Sequence, residues 1–293
     1  MCTSDDRLIR FDWAMKRMLR DKANFGVLEG FLTSLLGKPI YIETILESES
    51  NRDSDEQKLN RVDILAQTTE KEKMLIEVQN QSEIDYFHRM LFGTTRLISD
   101  YTRLGERYGK ITKIYSINIV YFRLGEGEDS VYVGTTDFYG LHDGSQLRLS
   151  PRWRERLEVD SVSDIFPTYY ILRVNDFDKW SKTPLDQWLY FLSNSRVPED
   201  ADAPGLKEVR EKLRLDRLPA AERLSYLKLI DDRISIMNSI EDARYEGHAE
   251  GRAEGREEGR EEAILEKALI AKEAGLSDEM IFVIFGIKLS GFK

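Results

Sequence analysis

The chain has 293 residues, 41% hydrophobic and 33% charged, enough apolar material for one large core or two ordinary ones beneath a highly charged surface. Its formal net charge of −10 excludes a protein that coats nucleic acid through overall charge, and leaves open contact through a local basic surface or a metal-loaded cleft. The single cysteine, Cys2, excludes an internal disulfide framework and a cysteine-based zinc site.

His88, His142 and His248 lie far apart in sequence, which argues against a histidine-rich metal site. No apolar run reaches the roughly 18 residues a membrane span needs. The opening "MCTSDDRLIRFDW" lacks a basic segment followed by an apolar one, so the expected location is the cytoplasm.

In chain order, residues from about 12 to 37 are expected to be helical. A first piece carries Trp13, Met15, Met18 and Leu19, with Asp12 as its N-cap. A second piece places Val27, Leu28, Phe31, Leu32, Leu35 and Leu36 on one face and stops at Gly37-Lys38-Pro39. Glu29 falls on the solvent side of that piece. "PIYIETILESES" reads as the first strand, and the run from Glu47 to Glu56, "ESESNRDSDE", as a polar loop.

Two strands, "RVDILAQ" and "KMLIEVQ", follow as a hairpin around Glu70. A helix from Ser82, its cap, to Gly105 or Gly109 carries the apolar stripe Ile84, Phe87, Met90, Leu91, Thr94, Leu97, Ile98, Tyr101 and Leu104. "KIYSINIVYF" is the next strand, with further strands at 130–133 and 168–174. "PLDQWLYFLSN" is a helix with Pro184 at its start, and residues from about 204 to 243 read as helical again. The order to residue 122 predicts an α/β unit with helices packed on a mixed sheet.

The hairpin carries the chemistry. Side chains alternate faces along a strand, so Asp63, Leu65 and Gln67 share one face, and Lys73, Leu75, Glu77 and Gln79 share one face of the partner. A turn centred on Glu70 sets residue 67 opposite 73, 65 opposite 75 and 63 opposite 77. Asp63 then faces Glu77 with Cβ atoms about 4.5–5.5 Å apart. Carboxylates at about 4 Å repel by about 4 kcal/mol at an effective dielectric near ~20. A shared proton, a basic partner or a divalent cation compensates such a pair. In the plainer reading, the hairpin lies at a solvated sheet edge and the pair needs no compensation. Hard cations such as Mg²⁺ take oxygen ligands and keep waters for phosphate chemistry. Gln79, on the same face, can orient a water or contact a phosphate oxygen.

"VDILAQ…LIEVQNQ" resembles the D…E-x-Q core of the PD-(D/E)XK nuclease family transposases, also called recombination-promoting nucleases. "FDWAMKRML" resembles that family's D-x-x-F-K segment, with Asp12 and Lys16 in place and Met15 where the family usually has phenylalanine. The segment "FHRMLFGTTRLISDYTRLGERYGKITKIYSINIVYF" and the C-terminal repeat and tail resemble the family as well. The likeness covers nearly the whole chain. No single motif is specific; their ordered combination is.

The resemblance implies a restriction-endonuclease-like PD-(D/E)XK core, a mixed sheet flanked by helices, with a helical C-terminal extension. It implies that Asp63 and Glu77 bind Mg²⁺ or Mn²⁺ and that Gln79 stands where the signature has lysine. Gln donates only neutral hydrogen bonds, so the metal carries more of the electrostatic load. Lys16 or Lys73 is a candidate for the missing positive charge. Asp12 either assists at the site or caps its helix.

Other segments keep two readings each. Arg148, Arg152, Arg154 and Arg156 surround Trp153, as a nucleic-acid contact or as a solvated loop entering a strand. Arg89, Arg96 and Arg103 recur on one helical stripe, facing DNA or serving solubility. From Glu246 the chain repeats EGHA, EGRA, EGRE, EGRE. Read as a helix, this puts glutamates and arginines on opposite faces, with like charges at i,i+4 and a glycine in every turn, so it is either a flexible linker or a helix that needs a partner. "ILEKALIAKEAGLSDEMIFVIFGI" reads as a helix, a Gly275 turn, a Ser277 N-cap and a short helix, suited to packing or dimerisation more than to DNA reading.

The expected division is a nuclease-like domain over 1–200, a helical segment over 201–245, the charged repeat over 246–262 and a small helix-turn-helix-like tail over 263–293. The expected function is metal-dependent hydrolysis of DNA phosphodiesters by an endonuclease of the recombination-promoting type. Expected partners are DNA and, through the tail, further copies of the chain, with no membrane. The alternative is a catalytically inactive DNA-binding or oligomerising module on the same fold.

Overall fold

The computed structural model describes residues 8–46, 64–101, 111–175, 177 and 183–288. They fall into two compact units, Met1–Pro219 and Ala220–Lys293.

The first unit is built on six strands: β1 (Ile42–Leu46), β2 (Ile64–Thr68), β3 (Lys73–Gln79), β4 (Ile114–Val120), β5 (Val131–Gly134) and β6 (Thr168–Arg173). They form one mixed sheet in the order β1-β2-β3-β4-β6-β5. β1, β2 and β3 pair antiparallel, β3, β4 and β6 run parallel, and β5 closes the edge antiparallel to β6. The central strands read as near-continuous apolar runs because both of their faces are buried; Met74, Leu75, Ile76, Ile117, Ile119 and Val120 are all inaccessible or nearly so.

Helix α3 (Tyr86–Tyr101) covers one face, where Leu97 joins Leu65, Leu75 and Ile114 in a cluster. Helices α1 (Phe11–Arg17), α2 (Phe25–Leu36), α5 (Pro184–Asn194) and α6 (Leu206–Lys212) surround an aromatic cluster. Phe31 meets Phe11 at 5.5 Å and Trp188 at 5.4 Å, and the Trp188 indole donates to the Pro204 carbonyl. Gly30 is required there: a Cβ on it would lie 2.4 Å from the Gly205 Cα. Between α4 (Pro151–Leu157) and its surroundings no residue of the helix is buried.

Several sequence expectations change. Asp12 is not an N-cap: Arg10 holds that position, and Asp12 sits in the first turn of α1. Glu29 is half-buried rather than solvated, because its carboxylate accepts the Ile42 amide at 2.8 Å and ties α2 to β1. The long helix starts at Tyr86, not at Ser82, and Ile84, Phe87 and Leu91 of the expected stripe are exposed. Its buried face is Tyr86, Met90, Thr94 and Leu97. Met90, Thr94 and Leu97 belong to the expected stripe, and Thr94 shares a 2.7 Å bond with the Tyr169 hydroxyl. Tyr86 is the addition, drawn in by its packing on Met90 and Val120 and its bond to Asn118. The Arg-rich segment is the helix α4, capped by Ser150, not a loop. Residues 204–243 hold α6 and the start of a separate helix. The polar loop 47–56, Asp63 and the end of the long helix at Gly105 or Gly109 lie outside the described residues.

The second unit consists of α7 (Ala220–Glu273) and α8 (Asp278–Phe285). The Glu-Gly-Arg repeat is helical throughout. α8 starts at the expected Ser277 cap and packs Ile281 on Ala268, with Leu265, Ala271, Leu276 and Phe285 around them. No helix among the described residues is long and apolar enough to cross a membrane.

Candidate active site

The β2–β3 hairpin has the register expected from its sequence: Leu65 lies opposite Leu75 and Gln67 opposite Lys73. Asp63 lies outside the described residues, so this geometry reaches Ile64 opposite Ile76 and no further. Glu77 shares a face with Leu75, and so points under α3. It is 7% exposed. In the parallel ladder it stands beside Asn118 of β4. The Asn118 amide donates to Ser116 Oγ at 3.0 Å and to the Tyr170 carbonyl at 3.2 Å, and its oxygen accepts from Tyr86. A carboxylate this buried needs countercharge, since an unpaired buried charge costs several kcal/mol, on the order of 3–5 when its partner is removed.

Arg89 of α3 supplies countercharge, with Nε 3.9 Å from Glu77 Oε2. Its Nη1 donates to Glu83 Oε1 at 2.8 Å and Oε2 at 3.1 Å. Burial disfavours the guanidinium charge, and the Glu77 and Glu83 carboxylates more than offset this, holding its pKa above the ordinary arginine value. Among the described residues nothing hydrogen-bonds the buried Nε of Arg89. A buried donor left this way costs about 1–3 kcal/mol.

Gln79, at the end of β3, donates to the same Glu83 Oε1 at 2.6 Å. The next residue, Asn80, donates to Asp12 Oδ2 at 3.1 Å. Asp12 Oδ1 accepts from the Trp13 amide at 2.9 Å and from Arg10 Nε at 3.3 Å. Arg10 lies over the Tyr121 ring, and the Tyr121 amide donates to the Gln79 carbonyl. Asp12, Glu77 and Gln79 are thus brought to one end of β3. Lys16 lies one turn along α1 from Asp12, and its side chain lies outside what is described.

Lys73 does not fill the lysine role. It sits at the opposite end of β3, four residues and about 13 Å of strand from Glu77. Its ammonium donates to Thr112 and lies over the Tyr101 ring. The arginine stripe divides as well: Arg89 turns inward to Glu77, Arg96 pairs with Asp100 at 3.5 Å, and Arg103 lies outside the described residues. Among the described residues no three acidic, histidine or cysteine side chains converge as a metal group. The donors that do stand here, the Glu77 and Glu83 carboxylates and the Gln79 carboxamide, are oxygen donors that fit a hard divalent cation.

Sequence reading missed Asn118, Tyr86 and Glu83. For Asn118 the signal was available: a polar residue inside the apolar run "INIV" poses the question that Glu77 posed in "LIEV". For Glu83, which precedes α3, nothing in the local pattern marked it. Residues 9–149 match the family model described as PD-(D/E)XK nuclease family transposase. No curated protein and no solved structure gives a match to the chain.

Proposed function

From its membership, through residues 9–149, of the PD-(D/E)XK nuclease family transposases, we propose that this chain is a metal-dependent DNA endonuclease. The observation that carries the reading is the buried Glu77 carboxylate at the end of β3, in ion-pair contact with Arg89. Asp63, which the hairpin register would set opposite it, and Glu77 would hold Mg²⁺ or Mn²⁺. Such a cation supplies Lewis-acid polarisation of a phosphoryl oxygen and a more acidic bound water.

The chain's own residues do the rest. Arg89 stands beside Glu77 as its countercharge. Glu83 fixes the Gln79 carboxamide, which can then hold a water in one orientation. Asp12 orders Asn80 beside Gln79, and Lys16 adds positive charge on the adjoining helix for the approaching backbone of DNA. Hydrolysis breaks one P–O bond and leaves a phosphate and a hydroxyl, consistent with cleavage that promotes recombination rather than strand transfer.

The test is cleavage of supercoiled plasmid by wild type, Glu77→Ala and Asp63→Ala, with Mg²⁺, with Mn²⁺ and with EDTA. Cutting that requires both carboxylates and the metal is the expected result. Wild type that binds DNA and cuts it under no metal condition would sink the enzyme reading and leave a DNA-binding module. Self-association through α7 belongs to the same proposal. Its repeat carries four glycines, at 247, 251, 255 and 259, each with open space where a Cβ would project. Light scattering that gives a monomer mass at every concentration rejects it.

A further inference from the structure

We infer that Arg89 is the phosphate-binding cation of this site, the role for which Gln79 has no charge. The inference deepens the nuclease reading and rests on it. The guanidinium is held by one edge only. Nη1 grips both oxygens of Glu83, at 2.8 and 3.1 Å. Nε stands 3.9 Å from Glu77 Oε2, close enough for ion pairing and too far for a hydrogen bond. Among the described residues nothing accepts from this Nε, although it is buried.

An arginine fork fixed along one edge presents its remaining N–H groups in a geometry suited to two phosphate oxygens. The side chain is 21% exposed while Nε itself is buried, so an incoming backbone reaches the guanidinium from its Nη side. Glu83 also fixes Gln79 through the same Oε1 that Arg89 grips. The charge of Arg89 is therefore delivered beside the position where the signature has lysine. Glu77, once it ligates a divalent cation, no longer neutralises the guanidinium, and the charge becomes available to a phosphate. Purely structural pairing would instead place Nε or an Nη within hydrogen-bond distance of Glu77.

The test compares wild type with Arg89→Lys, Arg89→Gln, Glu77→Gln and the double variant Gln79→Lys/Arg89→Gln. Plasmid cleavage with Mg²⁺ gives kcat and KM, thermal unfolding reports the fold, and electron paramagnetic resonance gives Mn²⁺ affinity. Arg89→Gln is expected to lower kcat by about 10²-fold, the usual effect of removing one preorganised donor, with KM little changed. Its Mn²⁺ affinity should equal or exceed that of wild type, since a cation beside Glu77 is gone. Arg89→Lys keeps the charge and loses the fork, so it should fall between; it carries the test if Arg89→Gln does not fold. Gln79→Lys should restore part of kcat in the Arg89→Gln background. A folded Arg89→Gln or Arg89→Lys that cleaves with wild-type kcat overturns the inference, as does a loss that follows unfolding alone and is not rescued by Gln79→Lys. Cleavage that needs Glu77 but not Arg89 rejects only this role. Wild type that binds Mn²⁺ and cuts nothing rejects the nuclease reading with it.

Discussion

The two ends of β3 both carry half-buried charge, and they are built differently. At the N-terminal end every cation is closed onto a nearby acceptor. Lys38 donates to both oxygens of Glu72, at 2.9 and 3.1 Å. Lys73 donates to Thr112, and Lys113 reaches the carbonyls of Ser163 and Phe166, both at 2.7 Å. At the C-terminal end Asp12, Glu77 and Glu83 gather with Arg10 and Arg89, and the central ion pair stays open at 3.9 Å. A closed network knits elements together. An open one leaves the guanidinium with a donor, Arg89 Nε, that no described residue accepts from. Counting buried charges would not separate the two ends; hydrogen-bond geometry does.

That contrast is sharpest in activity. Glu77→Gln is expected to lower plasmid cleavage by at least about 10²-fold while thermal unfolding stays close to wild type. Retained cleavage would remove the distinction between the ends. Asp12→Asn keeps the Asn80 contact in altered polarity and should cost about 10-fold in activity, the usual range for a partner that orients a site; a variant as active as wild type would make Asp12 a helix-end residue only.

At the closed end the effect should appear in stability instead. Glu72→Gln loses charge-assisted bonds from a partly exposed lysine, and should cost about 1 kcal/mol in urea unfolding with cleavage unchanged. Lost cleavage at full stability would place this end in the site. The smallest effect concerns Tyr115, whose hydroxyl pKa is pushed up to about 12, first by burial and then by the Glu72 charge. The folded state therefore holds the proton more tightly than the unfolded state, whose value is near 10.0. The associated stability is fully present below pH 10 and is lost as pH rises through about 12. Tyr115→Phe should flatten the alkaline limb of the stability curve over that window, and an unchanged limb would reject the shift.

Much of this was legible in local pattern. The alternation around Glu70 predicted the pairing of Leu65 with Leu75 and of Gln67 with Lys73, because period-two alternation and a short turn leave one register that buries the apolar face. The apolar runs at 74–78 and 117–120 marked strands buried on both faces. The helical stripe of α3 was legible at Met90, Thr94 and Leu97, and was drawn too wide at Ile84, Phe87 and Leu91. Which residues turn inward depends on Asn118 and Tyr169, contributed by strands much later in the chain. The cap at Ser277 was readable because capping is a four-residue event; the role of Asp12 was not, because its partner Asn80 lies 68 residues away.

Residue order alone therefore marked Glu77 and Gln79 as misplaced polar groups in a core strand, and the physical reason is parity along an extended chain. It could not decide which cation answers them. It offered Lys16 or Lys73, and left Arg89 on a helical stripe facing DNA or serving solubility. The parallel pairing of β3 with β4 and the seating of α3 across them put Lys73 at the wrong end of the strand and Arg89 at the right one. Charge interactions at this range fall off over a few ångströms, and only the folded chain sets distances on that scale.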